Sequence, residues 1–268
     1  MSAEPVPQSF YTESYFRDSC GGSEFYRLYG PGVLKPQLAY ALRKGDLKAG
    51  QSVLDLGCGR GELLHHAVEA GAYAVGTDFA EAALGVARGS GPVLRCDAKA
   101  LPFAAGAFDR AFLLGVVDHL HDWELEACFS ELARVLKPGG FVVAHTCTNR
   151  LHYKLLSYGL RRRLARWAGL AEPSRPRSDE DEALHVNEHS RKDLETFFSR
   201  IGWSVEVEAM PNYKALVGEL YGAELPTGFP LKAYPPWRAA LARAVVRTTA
   251  GGVLAREFFV VARPGEKL

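Results

Sequence analysis

Three carboxylates, each at the end of an apolar run, and one glycine-rich turn carry the chemistry this sequence offers. Val53 to Gly61 reads V-L-D-L-G-C-G-R-G, an apolar strand that meets Asp55 and then Gly57, Gly59 and Gly61 at alternate positions. Glycine tolerates positive φ and lets a backbone come close to a ligand, so the loop can turn tightly against one. Glu62 onward reads as a helix, which aims its first N–H groups back at the loop. A second apolar strand, Ala72 to Thr77, runs into Asp78, 17 positions after Gly61 (78 − 61). That is close to the roughly 20-residue offset of a ribose-binding acid after a βαβ turn. A third, Pro92 to Arg95, leads into Cys96-Asp97-Ala98, where a carboxylate could accept from an adenine amino group.

The details of the loop discriminate between cofactors. A dinucleotide fingerprint is G-x-G-x-x-G, whereas this loop is G-x-G-x-G with an acid two residues before its first glycine. A carboxylate there repels a pyrophosphate and suits an ammonium group. S-adenosylmethionine (SAM) has an ammonium, a sulfonium and no phosphate. Phe108-Asp109 opens a fourth strand running to about Val117. Leu136-Lys137-Pro138-Gly139-Gly140 reads as a helix end, a proline stop and a Gly-Gly turn feeding a fifth strand, Phe141 to Thr146. These motifs, in this order from about Gln51 to Thr148, resemble the class I SAM-dependent methyltransferases.

Alternating strands and helices predict an α/β fold with a parallel sheet covered on both faces, its ligands at the carboxyl ends of the strands. The resemblance implies a Rossmann-like, doubly wound, seven-stranded sheet whose last strand is antiparallel. It implies a cofactor-binding set of Asp55, Gly57, Cys58, Gly59, Gly61, Asp78, Phe79, Asp97, Ala98 and Gly115. Cys58 and Cys96 also read as small buried fillers. Helices are expected at about Val33–Arg43, Glu62–Ala70, Ala80–Arg88, Glu124–Val135 and Arg191–Ile201, the last started by Ser190 as N-cap. A sixth strand follows at Trp203 to Glu208, and a last one at Glu257 to Arg263. The organisation reads as an N-terminal helical lid (1–45), the core (46–148, 190–209 and 253–268), and a cap built from two insertions (149–189 and 210–252). Tyr11, Tyr15, Phe16 and neighbouring aromatics in the lid could cover the cofactor or pack as core.

Methyl transfer from SAM is an in-line attack on the carbon attached to sulfur, so alignment is the main demand, with a general base added if the acceptor is a hydroxyl or an ammonium. Histidine titrates near neutrality and is the first candidate. His119, in V-V-D-H-L after the fourth strand, is the leading one, and a histidine is common there in the resembled family. His185 and His189, before the Ser190 helix, are the others, with Asp118 and His145 read as structural or orienting. His185, Glu188 and His189 raise a metal reading, but their loop setting and the lack of cysteine partners favour no metal.

Thr146-Cys147-Thr148-Asn149-Arg150 is similar to the Thr-x-Asn-Arg stretch of ubiquinone-biosynthesis O-methyltransferases, in which an insertion follows and associates with membrane. Here Arg150 to Leu170 mixes six basic residues with Leu, Tyr and Trp and reads as one or two amphipathic helices, either a peripheral membrane contact or a substrate lid. Glu172 to Glu182 reads as a loop. The net charge of +1 gives no global pull toward nucleic acid, and no N-P-P-Y-type tetrad stands after the fourth strand. No 18-residue apolar run and no secretory pattern at the N-terminus are present, and the five scattered cysteines fit a reducing cytoplasm. The expectation is a SAM-dependent methyltransferase releasing S-adenosylhomocysteine, acting on a small or lipid-linked acceptor at oxygen. A non-catalytic SAM-binding sensor, a C- or N-methyltransferase of a natural product and an NAD(P)-dependent oxidoreductase stand beside it.

Overall fold

The apolar runs assemble into one sheet. The computed structural model describes residues 4–147, 149–175, 179–222 and 225–265. Seven strands, β1 Ser52–Leu56, β2 Tyr73–Asp78, β3 Val93–Arg95, β4 Phe108–Leu114, β5 Leu136–Cys147, β6 Trp203–Ala209 and β7 Glu257–Pro264, lie in the order β3-β2-β1-β4-β5-β7-β6. Strands β1 to β5 pair in parallel, and β7 runs antiparallel to both neighbours. The twelve helices among the described residues are α1 Ser23–Tyr29, α2 Pro36–Gly45, α3 Glu62–Glu69, α4 Glu81–Ala87, α5 Asp122–Val135, α6 Tyr153–Leu156, α7 Tyr158–Trp167, α8 Asp179–Leu184, α9 Arg191–Arg200, α10 Val217–Tyr221, α11 Pro236–Val246 and α12 Gly251–Leu254.

Why the strands are apolar throughout is visible in their neighbours. Side chains alternate across a strand, so adjacent residues enter opposite layers. Leu54, Leu113, Val142 and Phe258 join Leu125, Phe129 and Leu132 of α5 and Leu194 and Phe198 of α9 on one face. Val53, Phe112, Val143 and Phe259 join Leu38 and Tyr40 of α2 and Leu63 and Leu64 of α3 on the other. With both faces covered, no polar alternation survives in the centre of the sheet.

The order of the strands reverses between β1 and β4, and this is where an open α/β sheet leaves its ligand crevice. Gly57 (φ +74°) follows β1 there; a Cβ on it would sit 2.3 Å from Val116 Cγ2 in the turn after β4. The glycine is therefore needed for the two turns to touch.

Several boundaries differ from the sequence reading. The fourth strand stops at Leu114, not Val117, because Gly115 (φ +69°) turns the chain and donates its N–H to His145 O at 3.1 Å. A 3₁₀ turn at Val117–His119 follows. The Leu136–Gly140 turn is absorbed into β5 as an irregularity, with the β4–β5 register shifting between Phe108 and Arg110 and Gly139 at φ +77°. The loop read over Glu172–Glu182 closes in a helix, α8; its acidic start suits the positive end of a helix dipole. Helix α9 begins as expected: Ser190 Oγ accepts from Asp193 N–H (3.3 Å) and the Asp193 carboxylate accepts from Ser190 N–H (2.7 Å). Thr148 lies outside the described residues.

The stretch after β5 is a structural bracket. Fully buried Asn149 donates through Nδ2 to Gly252 O and Ala255 O, both at 2.8 Å, tying the start of the first insertion to the end of the second. Arg150 forks onto Asp193, the partner of Ser190 in the α9 capping box (2.5 and 2.8 Å). The second insertion also leans on the N-terminal segment: Tyr221 donates to Leu34 O, Tyr29 donates to Thr227 O, and the rings of Phe25 and Tyr221 meet Phe229. Among the described residues no helix is long and apolar enough to cross a membrane, and the five cysteines are free.

Candidate active site

A cavity of about 290 Å³ opens at the β1–β4 crevice. Asp55, Gly57, Cys58, Gly59, Asp78, Phe79, Asp97, Ala98, Gly115 and His119 all line it. Gly61, the remaining glycine of the loop, does not; it sits at φ +79° as the residue before α3.

The acids are held by the chain that delivers them. Asp78, at the end of β2, accepts from Gly59 N–H (3.1 Å, Oδ2) and Ala80 N–H (2.9 Å, Oδ1), and the Phe79 N–H also acts on it. Burial pushes its pKa up while those backbone donors pull against it. Asp55 is pushed further, to about 7, by burial and then by the charges of Glu62 and Asp78. Its Oδ2 is buried and has no hydrogen-bond partner among the described residues. A buried acceptor without a donor is costly, and a cationic group in the cavity would supply one. Asp97 is more exposed. Its Oδ1 accepts from Lys99 N–H at 2.9 Å and meets Lys99 Nζ at 3.1 Å, and Lys99 reaches on to buried Glu124 at 3.0 Å.

The N-terminal segment closes the cavity. Tyr11, Tyr15 and Phe16 line it, with Tyr11 edge-on to Phe79 at 4.9 Å between ring centres. This cover is fastened by Arg60, which the sequence reading passed over. Arg60 is 2 % exposed, yet all five guanidinium N–H groups are satisfied. Nε and Nη2 donate to Glu62 Oε1 (3.0 and 2.8 Å), Nη1 to Phe16 O (2.8 Å) and Cys20 O (3.2 Å), and Nη2 to Gly21 O (3.0 Å). The available signal was an arginine inside the glycine loop two positions before a glutamate.

At the β4 end the fold gathers groups from two distant places. Asp118 is completely buried. Its Oδ2 lies 3.6 Å from His119 Nε2 and 3.2 Å from His185 Nε2, and accepts from the Cys147 thiol at 3.8 Å. Its Oδ1 has no hydrogen-bond partner among the described residues. Burial raises the Asp118 pKa to about 7. Tyr11 Oη and His119 Nδ1 are 2.7 Å apart; burial pushes the Tyr11 phenol up, so it stays protonated. Asn187 fixes the returning insertion onto this turn, donating its backbone N–H to Asp118 O (3.1 Å) and its Nδ2 to Leu120 O (2.9 Å). His189 lies apart, buried with Nε2 3.8 Å from Asp122. His145 pairs with Glu257 (3.0 Å), which Tyr213 also engages. Burial would raise Glu257, but the hydrogen bond and charge of His145 outweigh it and hold the carboxyl at about 2.

Known proteins are similar to parts of this chain. Residues 53–140 match the family described as "Methyltransferase domain". The chain is similar to a demethylmenaquinone methyltransferase of Corynebacterium urealyticum, 38% identical over 102 residues, which are 37% of this chain and 42% of that one. It is similar to a ubiquinone biosynthesis O-methyltransferase of Aromatoleum aromaticum, 35% identical over 156 residues, 54% of this chain and 64% of the relative. The chain thus spans less than two thirds of the length of either. A SAM-dependent methyltransferase structure from Archaeoglobus fulgidus superposes with a TM-score of 0.55 at 18% identity, covering 89% of this chain and 99% of that one; at that identity the likeness is one of fold.

Proposed function

We propose that this chain, whose residues 53–140 form a methyltransferase domain of the SAM-dependent class, transfers a methyl group to a hydroxyl oxygen of a small quinone-like or lipid-linked aromatic acceptor. The observation that carries the reading is the cavity itself. Along it lie three strand-end acids, one with a buried oxygen that has no partner among the described residues, and at the β4 end His119, which meets Asp118 and His185 beside the cavity. The acceptor class is suggested by the names of the two relatives.

The residues fit the cofactor. Asp55 Oδ2 would take the ammonium, the Asp78 carboxylate the ribose hydroxyls, and Asp97 the adenine amine, with Phe79 and Ala98 beside the base. When bound, SAM supplies an electrophilic methyl carbon whose bond to sulfur breaks as the bond to oxygen forms, leaving neutral S-adenosylhomocysteine. Tyr11, Tyr15 and Phe16 exclude water from above. The Asp118–His119–His185 cluster draws the proton off the acceptor hydroxyl and holds the oxygen in line; His189 supports the insertion near Asp122. The oxygen assignment rests on the name of the ubiquinone-biosynthesis relative, since methylation at a quinol ring carbon must also shed a proton and would use the same cluster. Incubation with SAM and a panel of catechols, naphthoquinols and amines should release S-adenosylhomocysteine with the hydroxylated rings. Release with none of them, or with the amines alone, contradicts the reading.

The exposed face of α7 suggests how a lipid-linked acceptor arrives. Leu160, Leu164 and Trp167 stand in solvent (Trp167 is 88 % exposed) beside Arg161 and Arg163, while Arg162 and Arg166 are engaged by Glu172. Such a face suits an anionic membrane surface. Trp167→Ala should lower activity on a prenylated acceptor in anionic vesicles and spare its short-chain analogue; equal loss on both would remove the membrane contact from this proposal.

Two expectations concern affinity. Asp78→Ala removes charged hydrogen bonds worth about 1.5–3 kcal/mol, so the SAM Kd should rise roughly 10- to 150-fold, read by calorimetry; an unchanged Kd excludes the ribose assignment. The second is a pH dependence. Asp55 is raised from the ordinary carboxylate range to about 7. A raised folded pKa for an acid makes the ligand-free protein most stable below the unfolded value, and that contribution is lost as pH rises through about 7. An ammonium binds the ionised form, so SAM affinity should climb between pH 5 and 7.5. Asp55→Asn should flatten the climb, and a climb that persists in the variant places its origin elsewhere.

A further inference from the structure

We propose that Asp118, His119 and His185 form a binding site for one divalent transition-metal ion of the zinc class, at the acceptor end of the cavity. Their ligand atoms lie within 4.8 Å of one another. Asp118 Oδ2 stands 3.6 Å from His119 Nε2 and 3.2 Å from His185 Nε2. Two ligands on a tetrahedral ion with bonds of about 2.0–2.1 Å are about 3.4 Å apart, so both separations match the edge of such a site. The 3.6 Å separation is by contrast too long for a hydrogen bond.

The surroundings have the character of a built site. Asp118 is wholly buried and its Oδ1 lacks a partner among the described residues, a costly state that a cation on the carboxylate would relieve. Tyr11 holds His119 by Nδ1 at 2.7 Å, turning Nε2 toward Asp118; a polar partner on the far nitrogen is what orients a metal-binding imidazole. His185 is brought in by Asn187, whose two bonds to the Asp118–Leu120 turn fix the insertion's return. Two imidazoles and one carboxylate favour zinc, cobalt or a similar ion over magnesium or calcium. Three protein ligands leave a fourth position, the arrangement of a catalytic ion. His119 also lines the cavity, so that position would open toward it. Reading that end as the acceptor's rests on the proposed function; the binding of the ion does not.

The full chain, stripped with a chelator, is titrated with Zn²⁺ alone by calorimetry and with Co²⁺ alone by visible absorption. One ion per chain is expected, with the intense d–d bands of four-coordinate cobalt. His119→Ala and His185→Ala should each weaken Zn²⁺ at least tenfold, and Asp118→Asn, nearly isosteric, should do the same without a cavity. Retained S-adenosylhomocysteine binding shows that each variant is folded. His65→Ala, beside His66 and Glu69 on α3, removes the competing surface histidine and should change nothing. The site is overturned if the wild type takes up no Zn²⁺ at micromolar concentration, if the folded His185→Ala and Asp118→Asn variants bind as the wild type does, or if His65→Ala abolishes binding. Stoichiometric Zn²⁺ lost with His185, in a protein that methylates nothing, would sustain the site and defeat only the methyltransferase reading.

Discussion

Arg60→Ala should lower the melting temperature by roughly 6–20 °C and loosen the N-terminal cover. The estimate follows from burial. Arg60 and Glu62 form a salt bridge at 2.8 Å with side chains 2 % and 9 % exposed. Breaking a buried pair from one side costs about 3–5 kcal/mol, because the remaining charge is left without a partner. For a chain of this size each kcal/mol is worth about 2–4 °C. The same substitution strands the carbonyls of Phe16, Cys20 and Gly21, which receive three of the five guanidinium hydrogens. Calorimetry should therefore show the fall, and hydrogen exchange should show faster opening across residues 14–22.

Two further variants separate charge from geometry. Arg60→Lys keeps the charge but offers three donors on a point, not a planar fork, and should recover only part of the loss. Arg60→Ala with Glu62→Gln removes the orphaned charge and should be more stable than Arg60→Ala alone. A melting temperature within a degree of the wild type for Arg60→Ala would mean that the cover is held by its aromatic contacts. Those are Tyr11 on Phe79 and Tyr15 on Phe16, both near 5 Å between ring centres.

The legible and illegible parts of this site divide along a physical line. Asp55, Asp78 and Asp97 could be read because each stands at the end of an apolar run, and a parallel sheet carries its ligands there. Ser190 could be read as the start of a helix because a capping box is local. The end of β4 could not, because Val116 and Val117 continue the apolar run in propensity. What breaks the strand is Gly115 turning to reach His145 O on β5, a partner about 30 residues away in sequence. Arg60 was illegible for another reason. Three of its acceptors are backbone carbonyls, which any residue type would provide. Asp118 and His185 are 67 positions apart (185 − 118), and only the return of the first insertion joins them. Three of the eight histidines were candidate bases; the fold separates His189, at Asp122, from the two that share Asp118.

That shared carboxylate makes the last expectation specific. His119→Ala should cut turnover by on the order of 10²- to 10⁴-fold, the range that handling a proton in the transition state supplies, with SAM affinity nearly unchanged. His119 lines the cavity from the turn after β4, not from the strands that carry the three acids, so the loss should fall on kcat and kcat/KM together, as for an interaction made only in the transition state. His185→Ala should behave alike, since both imidazoles meet the same buried Oδ2. Groups that act as a unit are strongly non-additive. The double variant should therefore lose no more than about the worse single one. Tyr11→Phe, which removes only the hydroxyl near His119 Nδ1, should give a smaller fall through the imidazole's orientation, restored by nothing on the SAM side. Additive losses in the double variant would mean two independent roles. Wild-type turnover in a folded, SAM-binding His119→Ala/His185→Ala protein would leave alignment alone as the source of rate.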